Sequence, residues 1–426
     1  MPRFLCLFWL CTLCDGEEFT AQDVFNRARE NVARQLSAVS NYTCVLTVHR
    51  SLYFDPRRGN AGCAVADRMT DKLFMQDRLR LDVAVSEGNE IFSWHGGSKF
   101  SSAGVSELVK SGPISSGSFV GYLRNILFTP GVAIHLNKDK SDEKTYVFEY
   151  SVPVKSSAYE IHGRKGGFLV PYHGSFAVHT GTFELQSLLV NASDIPKRAE
   201  VCAADTKIEY QNVDIAGKSL LIPKSFALHV LDANTIDTVS NSEYTGCREF
   251  RGESIVRFDF DDSPQGQSGA PVHDQPLPAG ARLHVRLLTP VDDHHSFTGD
   301  PVEGVLLEPL VLKNRRIAIP KGAIVSGVLS RMEFRYQPIH EYIVAIHWDR
   351  LTSGPNTYLL NANAVRQYPN GRRFGPGYSG RSETGDDSAE GTFILPSNHF
   401  RMDQSFTAYF ENSDASKEAT AKGNGR

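Results

Sequence analysis

LPAGARLHVRLLTPV (277–291), TGDPVEGVLLEPL (298–310), AIPKGAIVSGVLSRMEF (318–334) and EYIVAIHWDRL (341–351) decide how this chain is read. Leu283, Val285 and Leu287 alternate with Arg282, His284 and Arg286, the period of a strand with one buried face. Ile324 and Val328 share one face of the next run and Val325 and Leu329 the other, which predicts cover on both sides. Pro290, Pro309 and Pro320 fall between the runs, where a proline ends a ladder without removing a central hydrogen bond. Gly322 and Gly327 are the positions expected to need an unusual dihedral or a close backbone approach. The stretch predicts a compact all-β unit.

IPKGAIVSG (319–327) followed by AIHWDRL (345–351) resembles the periplasmic β-barrel domain of TrbI-like conjugation and type IV secretion scaffolds. In that family an apolar-Pro-basic-Gly turn precedes a strand ending in Gly, and a later strand carries Trp-x-Arg-apolar. The matching residues are Ile319, Pro320, Lys321, Gly322, Gly327, Trp348, Arg350 and Leu351. The resemblance implies a small barrel with a scaffold role. It does not extend to a pore, because the polar, Gly-rich 366–391 stands where the family carries an apolar helical hairpin, and such a stretch is unsuited to lipid.

At 426 residues the chain is long enough for two or three units. With 41% hydrophobic and 22% charged residues it has the composition of a soluble globular protein. A net charge of −4 gives no electrostatic reason to expect nucleic acid or an anionic membrane as partner. No apolar run reaches the length of a bilayer span. Arg3, the apolar FLCLFWLCTLC (4–14) and the polar DGEE (15–18) read as a secretory signal peptide over 1–16, with lipidation at Cys14 as an alternative. The protein is therefore expected to be exported, to a periplasmic or extracellular compartment. Cys44, Cys63, Cys202 and Cys247 remain after cleavage, enough for two disulfides in any of three connectivities, or for four buried thiols.

Downstream, Thr20 and Asp23 open a helix over 21–38 whose Val24, Ala28, Val32 and Leu36 recur every four residues. NYTCVLTVHRSLYF (41–54), the alternating Leu79–Val85 and EIFSWHG (90–96) predict strands, and 103–110 and 118–128 predict short helices. YVFEYSV (146–152), SFAVHT (175–180), FELQSLLV (183–190), KIEYQNV (207–213) and SIVRFDF (254–260) predict further strands. This plan, carried also by LRLDVAVSEGNEIFSW (79–94) and LLIPKSF (220–226), resembles the LolA-like lipoprotein-carrier fold. There an open antiparallel half-barrel wraps around helices. The resemblance implies a concave face that holds lipid or lipoprotein acyl chains, or a surface that grips another envelope protein. Trp94, Phe119, Tyr122 and Phe128, on or beside the expected helices, are the candidate ligand-binding residues. The same aromatics also serve as core.

The fold class expected is mainly β (α+β): a half-barrel domain over 17–262, a linker over 263–280 and a small β-barrel or sandwich over 281–410. Residues 366–391 are expected to be a disordered insertion and 411–426 a disordered tail. GTFILPSNHFRMDQSFTAYF (391–410) supplies one or two closing strands.

Three spots imitate catalytic or metal sites. GQSGAP (266–271) has the form of a serine-protease nucleophile loop, yet no His stands in the setting that chemistry needs, and Ser268 falls in the linker. DDHH (292–295) offers four adjacent ligands, which point in different directions in an extended loop and read as a solvated turn. HEYIVAIHWD (340–349) places its two His seven apart rather than four, and Ile343, Val344 and Ile346 favour a strand. No catalytic residue, metal or cofactor is therefore expected. The sequence reads as a non-enzymatic envelope protein that binds lipid, lipoprotein or another envelope component, with a secretion-related scaffold as the alternative.

Overall fold

A computed structural model describes residues 19–37, 41–54, 63, 72–86, 89–97, 100–101, 105–109, 112–114, 119–163, 166–233, 236–249, 274–311, 318–365 and 391–413. The signal segment 1–16, SIVRFDF (254–260), Ser268 with its loop and most of the 366–391 insertion lie outside them.

Helix α1 (Ala21–Ser37) begins with a reciprocal cap. The Asp23 amide donates to Thr20 Oγ1 at 3.2 Å and the Thr20 amide to Asp23 Oδ2 at 3.1 Å, which satisfies amides that the helix leaves without partners. Val24, Ala28 and Val32 form its buried stripe. The strands that follow are β1 (Tyr42–Phe54), β2 (Lys72–Ser86) and β3 (Asn89–Trp94). The single turn α2 (Val105–Leu108) and helix α3 (Phe119–Phe128) come next. Then come β4 (Ala133–Asn137), β5 (Thr145–Val152), the small hairpin β6 (Glu160–Gly163) and β7 (Gly166–Leu169), β8 (Tyr172–His179) and β9 (Leu185–Ala192). Three long strands close the unit: β10 (Val201–Ile215), β11 (Lys218–Asp232) and β12 (Ile236–Glu249). Ala216 and Gly217, with φ of 55° and 76°, make the two-residue turn from β10 to β11, a geometry that suits the twist of the strands.

The antiparallel order is β3-β2-β1-β12-β11-β10-β9-β8-β5-β4, an open half-barrel. Its concave face packs on α1 and on Leu123, Ile126 and Leu127 of α3 in one apolar cluster. Each such fully buried aliphatic side chain contributes roughly 1.5–3 kcal/mol. Disulfides join Cys44 to Cys247 and Cys63 to Cys202, which selects one of the three connectivities. The first ties the adjacent strands β1 and β12.

The second unit contains β13 (Asp274–Pro276), β14 (Arg282–Leu287), β15 (Val291–Asp292), β16 (Pro301–Leu306), β17 (Leu310–Val311) and β18 (Ala318–Ile319). It continues with β19 (Ile324–Arg335), β20 (Glu341–Ser353), β21 (Asn356–Ala364), β22 (Phe393–Leu395), β23 (Arg401–Met402) and β24 (Thr407–Asn412). Strands β14-β16-β19-β20-β21-β24 close back on β14 as a six-stranded antiparallel barrel around a separate core. The fold is mainly β, as expected.

Several boundaries differ from the sequence reading. β13 lies within the span expected as linker and pairs in parallel with β21. Glu411 and Asn412, expected in the tail, belong to β24, and the Asn412 side chain donates to the carbonyls of Leu277 and Pro278 at 2.7 and 3.1 Å. The closing segment forms three strands rather than one or two. β19 is not covered on both sides: Val325 and Leu329 point into the barrel, whereas Ile324 is 36% exposed. The half-barrel and barrel share one sheet, because residues 333–335 of β19 pair with residues 75–77 of β2. The first unit's β2 is thus shared between β3 along its later half and the barrel along its earlier half.

Candidate functional site

The inward faces of the half-barrel strands are read directly from their registers. One row runs Leu79, Val48, Ser242, Phe226, Ile208 across β2, β1, β12, β11 and β10. The next runs Asp77, Arg50, Ser240, Leu228, Thr206, and a third runs Met75, Leu52, Thr238, Val230, Ala204. The apolar residues are those a core requires. The polar ones cross the same face as a band.

Arg50 is 1% exposed, and its Nε donates to Asp77 Oδ1 at 2.8 Å while its second terminal nitrogen donates to Asp77 Oδ2. Pro113 accepts from Arg50 at 3.5 Å through its carbonyl, so residues 112–114, after α2, cover the pair. Beside it, the hydroxyls of Thr238, Ser240 and Ser242 are buried with no hydrogen-bond partner among the described residues. Further along β12 the Tyr244 hydroxyl is in the same condition, as are both carboxyl oxygens of Glu90 on β3. Burial holds the Glu90 carboxyl up at about 8, so it is predominantly protonated at neutral pH. Burial first, and the Glu90 carboxyl second, raise the phenols of Tyr42, Tyr210 and Tyr244. Leaving a buried polar group without a partner costs about 1–3 kcal/mol. A band of them is the chemically distinctive feature of this face.

Of the four aromatics singled out in the sequence, Trp94 and Tyr122 pack against the same half-barrel core. Trp94 packs on that core at the end of β3 and also lies near the second unit, since a Cβ on Gly299 would stand 2.5 Å from its ring. Tyr122 packs edge-on against Tyr159 and Tyr172, at centroid distances of 5.6 and 6.0 Å, in a tyrosine cluster fixed by the Tyr172 hydroxyl donating to Asn125 Oδ1 at 2.6 Å. Phe128 is partly exposed under the Arg29 guanidinium, 5.3 Å from its ring centre. Phe119 opens α3, and its side chain lies outside the described residues. A concavity of about 340 Å³ lies along β4, β5, β8 and β9, lined by His135, Glu149, His173 and Asn191 among others. Another, of about 230 Å³, lies on the barrel at Arg282, His284, Glu308 and Tyr409.

The barrel residues picked out by resemblance have structural roles. Pro320 and Gly322 make the turn before β19, with Gly322 at φ 93°. Gly327 allows strand β20 to approach, since a Cβ there would meet the His347 carbonyl oxygen at 2.0 Å. Trp348 is buried against Phe410, with ring centroids 5.5 Å apart, and Arg350 is exposed.

Sequence reading missed β12 and with it most of the polar band. Its inward positions are Thr238, Ser240, Ser242 and Tyr244, so no apolar alternation marks it. A period-two run of hydroxyl side chains was the available signal.

No protein-family model matches the chain, and no curated protein matches it. Among solved structures it is similar to a LolA superfamily protein from Nitrosomonas europaea, at 12% identity and a TM-score of 0.25, over 55% of this chain and 96% of that one. It is also similar to a DUF1329 family protein from Desulfovibrio piger, at 11% identity and a TM-score of 0.26, over 55% of this chain and 97% of that one.

Proposed function

We propose that this protein is a non-enzymatic, exported binding protein whose half-barrel receives a lipid or a lipoprotein acyl chain, or another amphiphilic envelope component. The observation that carries the reading is the band of buried hydroxyls and the Glu90 carboxyl on an otherwise apolar concave face. Such groups match the polar head of an amphiphile while the surrounding leucines and valines match its tail. Because α1 and α3 fill the apolar end, uptake requires the cover at 112–114 to part from Arg50.

Mass spectrometry of organic extracts from the mature protein, purified natively without detergent, tests this. A stoichiometric amphiphile is the expected result. A protein that comes through lipid-free, and that takes up no fluorescent fatty acid on incubation, would overturn it.

The second reading is a periplasmic or secretion-related scaffold acting through a TrbI-like barrel. What supports it is the shared sheet: β2 and β19 pair directly, and Arg80 of the half-barrel donates to Asp300 Oδ1 of the barrel at 2.8 Å. A rigid two-unit body suits a structural part. Oligomeric rings in negative-stain images would favour it over the carrier.

A further inference from the structure

The short ladder β15–β23 sets Asp292 opposite Arg401, so the chain just after β15 meets the chain just before β23. That juxtaposition brings His399 to the turn containing Asp293 and His294, more than a hundred residues earlier. His399 Nδ1 donates to Asp293 Oδ2 at 2.7 Å, and His294 Nε2 lies 3.7 Å from the same oxygen. The two imidazoles are nearly parallel, 18° apart in plane with centroids 5.5 Å apart. The three ligand atoms all lie within 4.8 Å of one another. In a tetrahedral zinc site with bonds near 2.0–2.1 Å, neighbouring ligand atoms stand about 3.3 Å apart, so small side-chain rotations suffice.

The turn is held in place before any ion arrives. Arg78, from β2 of the other unit, donates to the carbonyls of Asp293, His294 and Ser296 at 2.6, 3.0 and 2.8 Å. Asp292 Oδ1 accepts from the amides of His294 and His295 at 2.9 and 2.7 Å. The Asp293 side chain is 5% exposed, contrary to the expectation of a wholly solvated turn, and the Phe400 amide donates to its Oδ1 at 3.3 Å. Tyr342 donates to Oδ2 at 3.4 Å, an outer hydrogen bond of the kind that orients a ligating carboxylate. Both imidazoles are largely exposed, so an ion has direct access.

We propose that Asp293, His294 and His399 form a binding site for a divalent zinc-class cation, with water completing the coordination. Two imidazoles and one carboxylate are the donor set zinc accepts where a fourth position stays open to solvent. On binding, the ring hydrogen of His399 moves from Nδ1 to Nε2, and the Nδ1 lone pair turns to the cation in place of the hydrogen bond to Asp293. Of the four residues of DDHH only Asp293 and His294 take part, and the third ligand comes from the distant segment between β22 and β23.

Zn²⁺ titration of the dialysed full chain by calorimetry, with Co²⁺ absorption as a coordination probe, decides the matter. One saturable site and the visible bands of tetrahedral Co²⁺ are expected. His399→Ala and His294→Ala should each weaken binding at least about tenfold and abolish the bands. His295→Ala, on the same turn but outside the triad, should leave both unchanged. The absence of a saturable site, or a site unaltered in His399→Ala with its circular dichroism intact, would overturn the proposal.

Discussion

Asp77 of β2 stands directly opposite Glu333 of β19, so two buried carboxylates from different units lie side by side across the seam. Like charges in that relation repel. Here Arg50 binds Asp77, while Arg331 Nε donates to Glu333 at 2.8 Å and Arg335 lies 3.6 Å from it. The seam is held by compensation of charge, and each partner becomes costly to remove alone.

Arg50→Met is accordingly expected to cost about 3–5 kcal/mol, because it leaves the Asp77 carboxylate buried and unpaired. The double variant Arg50→Met/Asp77→Leu removes both charges and should recover most of that loss. Urea unfolding of the three proteins measures it. A double variant as unstable as the single one would show that packing, not charge, sets the cost.

Stability should fall as pH rises from about 4.5 to about 8 through Glu90. Unfolded, this carboxyl ionises near 4.5; folded, burial holds it at about 8. Between those values the folded chain keeps a proton that the unfolded chain has lost, so raising pH favours unfolding, by at most about 1.4 kcal/mol per pH unit. Glu90→Gln should remove this component of the slope. Melting temperatures of both proteins across that range give the comparison, and parallel curves would exclude Glu90 as the source.

Thr238→Val and Ser240→Ala remove unpartnered hydroxyls, the first in exchange for a methyl group of nearly the same shape. In ligand-free protein each is expected to be neutral or to stabilise by about 1 kcal/mol. If the band receives a polar head, the same changes weaken ligand uptake. Loss of stability in both variants would mean that the hydroxyls already have partners in the folded chain.

Gly299 sits at φ 101°, and a Cβ there would lie 2.3 Å from the Arg80 carbonyl oxygen and 2.5 Å from the Trp94 ring. Gly299→Ala should therefore push the units apart locally, lower the melting temperature and shift the emission of Trp94. In the Trp348→Phe background the Trp94 signal is followed without the buried barrel tryptophan. Unchanged emission would place the strain elsewhere.

Much of the architecture is legible in the chain because alternation follows burial. Val24, Ala28 and Val32 announce α1, and Leu283, Val285 and Leu287 announce β14; both patterns match their buried faces. The legibility fails where burial and polarity part company. β12 hides behind its serines and threonines, and β13 and the end of β24 lie in polar stretches whose ladders depend on distant partners.

From its own order of residues the chain determined a leading amphipathic helix, strands with one apolar face, and turns at positions such as Gly322, because these depend on neighbours within a few residues. Tertiary structure alone decided which cysteines pair, that β2 serves two units, and that Asp293 and His294 meet His399. Each of those joins positions far apart in the chain, and their meeting is set by the register of β strands whose hydrogen bonds carry no mark in the local sequence.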